Sequence, residues 1–222
     1  MAIIAGLKLF FAGFLLMDLL WHAGWPVWPL LALSVLALAL ILERAWFLRS
    51  SHIAPSGLLE SVLAQCQLAL PTQQHTQELA QGSVLGQLLA LGVERVRQQP
   101  LTSEASLRQT LELEGRLACA RLDKHLPTLA TVASVATLMG LLGTVIGMIE
   151  IFAAQSQSAQ QPAQLAQGIS MALYNTALGL MVAIPSLLAW RGLRSRADRH
   201  IMALEVACER LVLQLQHLQR QR

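Results

Sequence analysis

Apolar residues along this chain gather into three long uncharged runs, separated by stretches in which apolar positions recur every three or four residues. The first pattern predicts helices that cross a membrane, because roughly 20 apolar residues at 1.5 Å per residue span about 30 Å of hydrocarbon. The second predicts amphipathic helices with one buried face. The spanning helices fall at 25–47, 126–150 and 168–190. Trp25, Trp28 and Trp46 flank the first of them, where indole rings favour the headgroup level, and Glu43 and Arg44 close it at the inner interface. Pro185 lies inside the third span, where it removes one backbone donor and is expected to kink the helix or free a carbonyl.

Amphipathic patterns occupy Gly57 to Leu70, Ser83 to Arg97 and Ser103 to Lys124, punctuated by Pro71 and Pro100. The last pattern leads into the second span with no breaker in the reading. Residues 151–167 are uncharged and rich in Gln, Ser and Ala, and read as a short connection. In 191–222, apolar residues recur at Ala197, Ile201, Leu204, Cys208, Leu211, Leu215 and Leu218, an alternating 4 and 3 spacing that makes a coiled-coil-like seam on an extension of the third span, expected to contact another helix and to add to the assembly of identical subunits. No strand pattern competes, so the predicted fold is all-α.

Composition and charge turn these elements into a topology. Of the 222 residues, 55% are hydrophobic and 13% charged, which places the chain among integral membrane proteins. The net charge is only +3, but the cations cluster. Arg44 and Arg49 follow the first span, Arg116, Arg121 and Lys124 precede the second, and Arg191, Arg194, Arg196 and Arg199 follow the third. Placing all three clusters in the cytoplasm makes 48–125 and 191–222 cytoplasmic and 151–167 external, with the N-terminus outside. Residues 1–24 are apolar, with Lys8 and Asp18 as their formal charges. A signal peptide would need a small-residue cleavage site before Trp21, and a further span would need a tight turn at Gly24-Trp25-Pro26. An external interfacial helix fits this segment best, and Met17 offers an alternative start.

Within the second span, Thr137, Gly140, Thr144 and Gly147 are spaced 3, 4 and 3 apart, and Thr176, Gly179, Ala183 and Ser186 repeat that spacing in the third. Helical geometry puts each set on one face, where small residues allow close approach and hydroxyls bring polarity into a bundle. Gly140, Gly143, Gly147 and Gly179 read as packing positions. Thr144 and Thr176 either bond a carbonyl one turn back or face a polar path. Asn175 is costly against lipid and is placed toward the bundle, for packing or for function. Glu150, near the outer end of the second span, is an interfacial carboxylate or part of an ion path.

Enzymatic chemistry finds no support in the pattern. Cys66, Cys119 and Cys208 lie far apart on the predicted cytoplasmic side, where thiols stay reduced. The histidines, His22, His52, His75, His125, His200 and His217, make no pair of metal-ligand spacing, and there is no phosphate-binding Gly-Lys-Ser/Thr loop. The chain is read as a non-enzyme with no cofactor, no metal site and no nucleic-acid partner. Three classes remain: an ion-driven motor subunit, a membrane scaffold that oligomerises through its small-residue faces, and a transporter subunit. Against the last, there is no inverted repeat and no pair of broken helices.

The run Leu126-Pro127-Thr128 through Ala136, followed by Gly140-Leu-Leu-Gly-Thr144-Val-Ile-Gly147-Met-Ile-Glu150-Ile-Phe152, resembles the MotA/TolQ/ExbB proton-channel family. So do Gly168-Ile169-Ser170, Ala172 to Leu180 with Asn175-Thr176-Ala177-Leu178-Gly179, and Val182-Ala183-Ile184-Pro185. The first span, ending in Leu42-Glu43-Arg44, is similar to the ExbB branch. The resemblance implies a homopentamer in the inner membrane, whose second and third spans surround the single spanning helices of an ExbD-like partner. It also implies use of the proton gradient to drive a TonB-like protein for outer-membrane uptake, with TolQ-like and flagellar-stator-like motors as alternatives. Thr144 and Thr176 would then be pore-facing. Two positions depart from the family pattern: Thr137 stands where proline is common, and Met171 where glutamate is common five residues before Thr176.

Overall fold

The computed structural model describes residues 26–68, 70–100, 102–155 and 162–221, and the expected interfacial segment 1–24 lies outside them. The described residues form α1 (Val27–Phe47), α2 (Ser50–Ile53), α3 (Leu58–Leu68), α4 (Gln73–Gly82), α5 (Val84–Gln98), α6 (Glu104–Asp123), α7 (Leu126–Gln155) and α8 (Pro162–Gln221). No strand occurs among them. Among the described residues, three helical stretches are long and apolar enough to cross a membrane: Val27–Phe47, the run ending at Ala153, and the run beginning at Gly168. The chain is therefore an integral membrane protein, all-helical in its described residues.

A proline sits in the first turn of each of these helices, Pro29 in α1, Pro127 in α7 and Pro162 in α8. There its missing N–H is one that has no partner within the helix, and its fixed φ suits helix entry. The helices outrun the apolar runs that define them. α7 continues to Gln155 and α8 begins at Pro162, so helix takes up both ends of the stretch that composition marks as a connection. α8 runs on through Pro185 to Gln221, 60 residues in all.

The chain divides into two compact units, one of residues 1–42 and 127–190, the other of 43–126 and 191–222. The first contains the apolar parts of α1, α7 and α8, and alanines of α7 and α8 lie at the centre of its core. Leu30, Ala136 and Ala183 are buried together, with Leu33, Met139, Leu178 and Val182 packed against them. Large apolar residues point outward instead, among them Trp28, Leu138, Leu141, Phe152, Leu173 and Leu188. In water such a surface would be untenable, whereas lipid or neighbouring apolar helices cover it at no hydrophobic cost.

The second unit has the opposite order, with large residues inside. α5 is its centre and packs against α2, α3, α4 and α6. Leu85, Leu88, Leu89, Val93 and Val96 recur at helical spacing along the buried face of α5. Ser83 caps α5 by accepting from the Gly86 N–H at 3.0 Å, and Ser103 caps α6 by accepting from Ser106 at 3.3 Å. α4 was not expected from the sequence, because only Thr76 and Leu79 of its ten residues are buried. Arg97 anchors it, donating to Thr76 Oγ1 at 3.0 Å and to the Pro71 carbonyl while paired with Glu94 at 2.8 Å.

Two sequence expectations need correction in this unit. The 4-and-3 seam of the C-terminal segment is consumed inside the subunit: Ala197, Leu204, Leu211 and Leu215 are all buried, with Leu211 seated over Gly92. It is therefore not an open contact for another copy. The passage from α6 into α7 is also broken rather than continuous. Lys124 and His125 form a turn, with His125 at φ +67°. Pro127 is the physical reason, since a helix running through it would lose the bond to the Asp123 carbonyl and drive the ring into that group. Side-chain ties join the helices around this region. Arg108 holds Glu209 through two bonds of 3.1 and 2.9 Å, and Arg194 pairs with Asp123 at 2.9 Å.

Between α5, α6 and α8 lies a cleft of about 480 Å³ whose walls include Leu88, Leu111, Leu204, Cys119 and Cys208. Burial, reinforced by Glu209 and by the neighbouring Cys119, pushes the Cys208 thiol up to about 11. In a variant with Cys66 and Cys119 replaced by serine, iodoacetamide alkylation of Cys208 at pH 8 should run on the order of 100-fold slower than that of a free cysteine. The rate should climb about tenfold per pH unit until the thiol ionises. A rate at pH 8 within a few-fold of free cysteine would contradict the packing of Cys208.

Candidate functional site

α7 and α8 meet along one antiparallel seam in the first unit. Ala136 and Ala183 share the core, and four contacts continue the line: Gly140 with Gly179, Gly143 with Asn175, Gly147 with Ala172, and Ile151 with Gly168. Each helix contributes positions spaced 4, 3, 4 and 4, so both present a single stripe along their length. Volume is what selects them. A Cβ on Gly179 would lie 2.7 Å from the Ala136 carbonyl oxygen and 2.8 Å from the Gly140 Cα, so only glycine allows the two backbones to touch here. A Cβ on Gly143 would lie 2.6 Å from the Asn175 Cβ and 3.0 Å from its Nδ2.

Asn175 is 4% exposed, so its amide lies within the seam rather than toward lipid. Thr176 stands beside it, and its hydroxyl donates across the helix pair to the Gly140 carbonyl at 3.1 Å. That bond is neither the one-turn-back bond nor an open polar face. Thr144 behaves differently. It is half-buried, one residue round the helix from Gly143, and its hydroxyl donates to the Leu141 carbonyl of its own helix at 2.6 Å. Thr137 donates to Ala133 at 3.2 Å and the buried Ser186 to Val182 at 2.7 Å, each within its own helix.

The structure thus brings together Gly140, Gly143, Gly147, Asn175, Thr176 and Gly179 of the residues singled out from the sequence. Thr144 borders this group, Glu150 is exposed farther along α7, and Met171 is half-buried next to Ala172. Pro185 lies beyond Ala183 on α8, leaving the Met181 carbonyl without its usual backbone donor. Glu43 and Arg44 belong to the other unit, where Glu43 lies 3.5 Å from Arg44 and 4.0 Å from His125. Sequence reading missed Ala136, Ala172, Ile151 and Gly168. The signal was available, because the 4, 3, 4, 4 spacing collects more glycine and alanine than the 3, 4, 3 stripe through Thr137 and Thr144.

Chemically, the seam is closed. Backbones in contact at Gly140 and Gly179 leave no room for water between the two helices at that level. A proton path therefore cannot run between α7 and α8 of one chain there. What the seam offers is rigidity and a fixed rotation of each helix, which determines the side chains presented on the outer faces.

Gly140→Ala and Gly179→Ala should each destabilise the detergent-solubilised protein by about 1–3 kcal/mol through overpacking, measured by thermal unfolding. Gly192→Ala, where an added Cβ meets nothing within 4 Å, should not destabilise it. Thr176→Val should lose about 0.6 kcal/mol, up to about 1.7, for the interhelical bond. Thr144→Val should be close to neutral in the same assay.

Comparison with known proteins identifies the family. The MotA/TolQ/ExbB proton channel family matches residues 80–206, a stretch that includes α5 to α7 and most of α8. The chain is 33% identical over 184 residues to the biopolymer transport protein ExbB-like 1 of Synechocystis sp., covering 81% of this chain and 71% of that protein. It is 30% identical over 177 residues to the Tol-Pal system protein TolQ of Pseudomonas aeruginosa, covering 76% of this chain and 77% of TolQ. A biopolymer transport protein of Vibrio cholerae is 39% identical over 64 residues, 28% of either chain. With the family matched over more than half of its length, the chain belongs to the MotA/TolQ/ExbB proton channel family.

Proposed function

We propose that this chain is an ExbB-like subunit of an inner-membrane motor driven by the proton-motive force. Several copies, five by the resemblance, assemble around the single spanning helices of an ExbD-like partner, and the complex works on a TonB-like protein that energises outer-membrane uptake. The observation that carries this reading is the closed α7–α8 seam, surrounded by large outward-facing apolar residues, in a chain of a proton channel family. A single copy has no path through the Gly140–Gly179 contact, which supports a conducting face shared between chains. The similarity to TolQ over three quarters of this chain favours a TolQ-like motor as the second reading.

In this reading the partner's helix carries a membrane carboxylate, which is costly in hydrocarbon while charged and needs polar neighbours as it gains and loses its proton. Thr144 is the hydroxyl nearest to an outer face and is offered as a member of that lining; Thr176 and Asn175 hold it in place through the seam. Glu150 is offered as the external acid of the path. Moving one proton through about 100 mV releases about 2.3 kcal/mol, so a few protons suffice to repack apolar faces that differ by a few kcal/mol.

Topology and mechanism can be tested separately. In a cysteine-free background, cysteine at position 60 or 205 should resist a membrane-impermeant maleimide in intact cells, and react only after permeabilisation. Labelling from outside would overturn the orientation. Thr144→Val combined with Thr176→Val should abolish energised uptake while leaving the complex assembled, as judged by native mass spectrometry with a co-expressed ExbD-like protein. Full uptake at normal protein levels would show that the hydroxyls only pack.

A further inference from the structure

The break between α6 and α7 leaves a carbonyl in need of a donor. Lys124 N–H closes the last turn of α6 onto the Ala120 carbonyl at 3.1 Å. The next bond in the helical series would run from His125 N–H to the Arg121 carbonyl, and it does not occur among the backbone bonds of the described residues. His125 is at φ +67°, the one non-glycine residue of positive φ among those described. Arg44, from the end of α1, donates Nη1 to that same Arg121 carbonyl at 3.2 Å.

The environment of Arg44 makes this contact more than incidental. The residue is 3% exposed, its Nη2 lies 3.5 Å from Glu43, and its guanidinium carbon lies 5.2 Å from the Phe47 ring centroid. Its Nε has no hydrogen-bond partner among the described residues. A buried guanidinium with so few partners is expensive to place, and the carbonyl end of a helix, where the dipole is negative, is the acceptor that best offsets this. Glu43, on the same turn of α1, lies 4.0 Å from the His125 ring, so α1 touches both the last turn of α6 and the break itself. We propose that Arg44 is a positioning residue that holds the α6–α7 break, its guanidinium supplying the donor that the interrupted helix lacks. The broken form is thereby favoured over a continuous helix at the point where α7 begins.

A double-mutant cycle with Pro127 tests this. Pro127→Ala allows α6 to continue, so the His125 N–H can take the Arg121 carbonyl and Arg44 loses its purpose. Arg44→Ala in the otherwise unchanged full-length protein should lower the midpoint of thermal unfolding in detergent by roughly 5 °C, and Arg44→Lys, which keeps a donor, should recover more than half of that shift. In the Pro127→Ala background, Arg44→Ala should shift the midpoint by less than half as much. An equal shift in both backgrounds, or no shift in either, would overturn the proposal. If Arg44→Ala fails to accumulate, Arg44→Gln takes its place in the same cycle, judged by the same two outcomes.

Discussion

The contact between Gly140 and Gly179 is the constraint on which the membrane part of this protein depends. Hydrocarbon supplies no hydrophobic drive for helices to associate, so their attraction has to come from dispersion and interhelical hydrogen bonds at short range. Two facing glycines bring the backbones into contact. That approach carries the Thr176 hydroxyl within reach of the Gly140 carbonyl and lets the Asn175 side chain fit over Gly143. Remove the approach and both polar groups lose their setting together, which is more damaging in lipid than in water.

The second unit is held differently. Leucine and valine packing around α5 and bonds such as Arg108 to Glu209 are the means by which a soluble domain is built. One polypeptide thus follows two packing codes, backbone contact through small residues in one unit and leucine–valine packing in the other, and α1 and α8 each contribute residues to both units.

Much of this was legible in the sequence, at the level of elements. Charge-free runs locate the three spans, and the periodicity at Ser83 to Arg97 and Ser103 to Lys124 matches α5 and α6 to within a residue. Phase was harder. A stripe drawn through Thr137 and Thr144 is turned by one residue from the seam at Ala136 and Gly143, because hydroxyls were weighted as interface groups when side-chain volume decides the contact. Pro127 is a helix breaker whose signal is masked in the sequence, because the apolar run continues through it. The destination of the C-terminal seam could not be read at all, since spacing shows that a face is buried and not which chain buries it. Burial of Arg44 was equally hidden: a cation at the end of a span looks like an interfacial anchor until its acceptor is seen across the chain.

The inverted core has a bearing on how natural variation in this chain should be interpreted. Alanine and glycine at 136, 140, 143, 147, 172, 179 and 183 are uncharged like the leucines around them, so the pattern of charges does not separate inner from outer positions. Residue volume does. Exchanges among leucine, isoleucine, valine and methionine at outward positions such as 138, 141 and 173 should pass silently through a population, while the addition of one methyl group in the seam should be selected against. A variant-effect score built on hydrophobicity alone would rank these two classes the wrong way round.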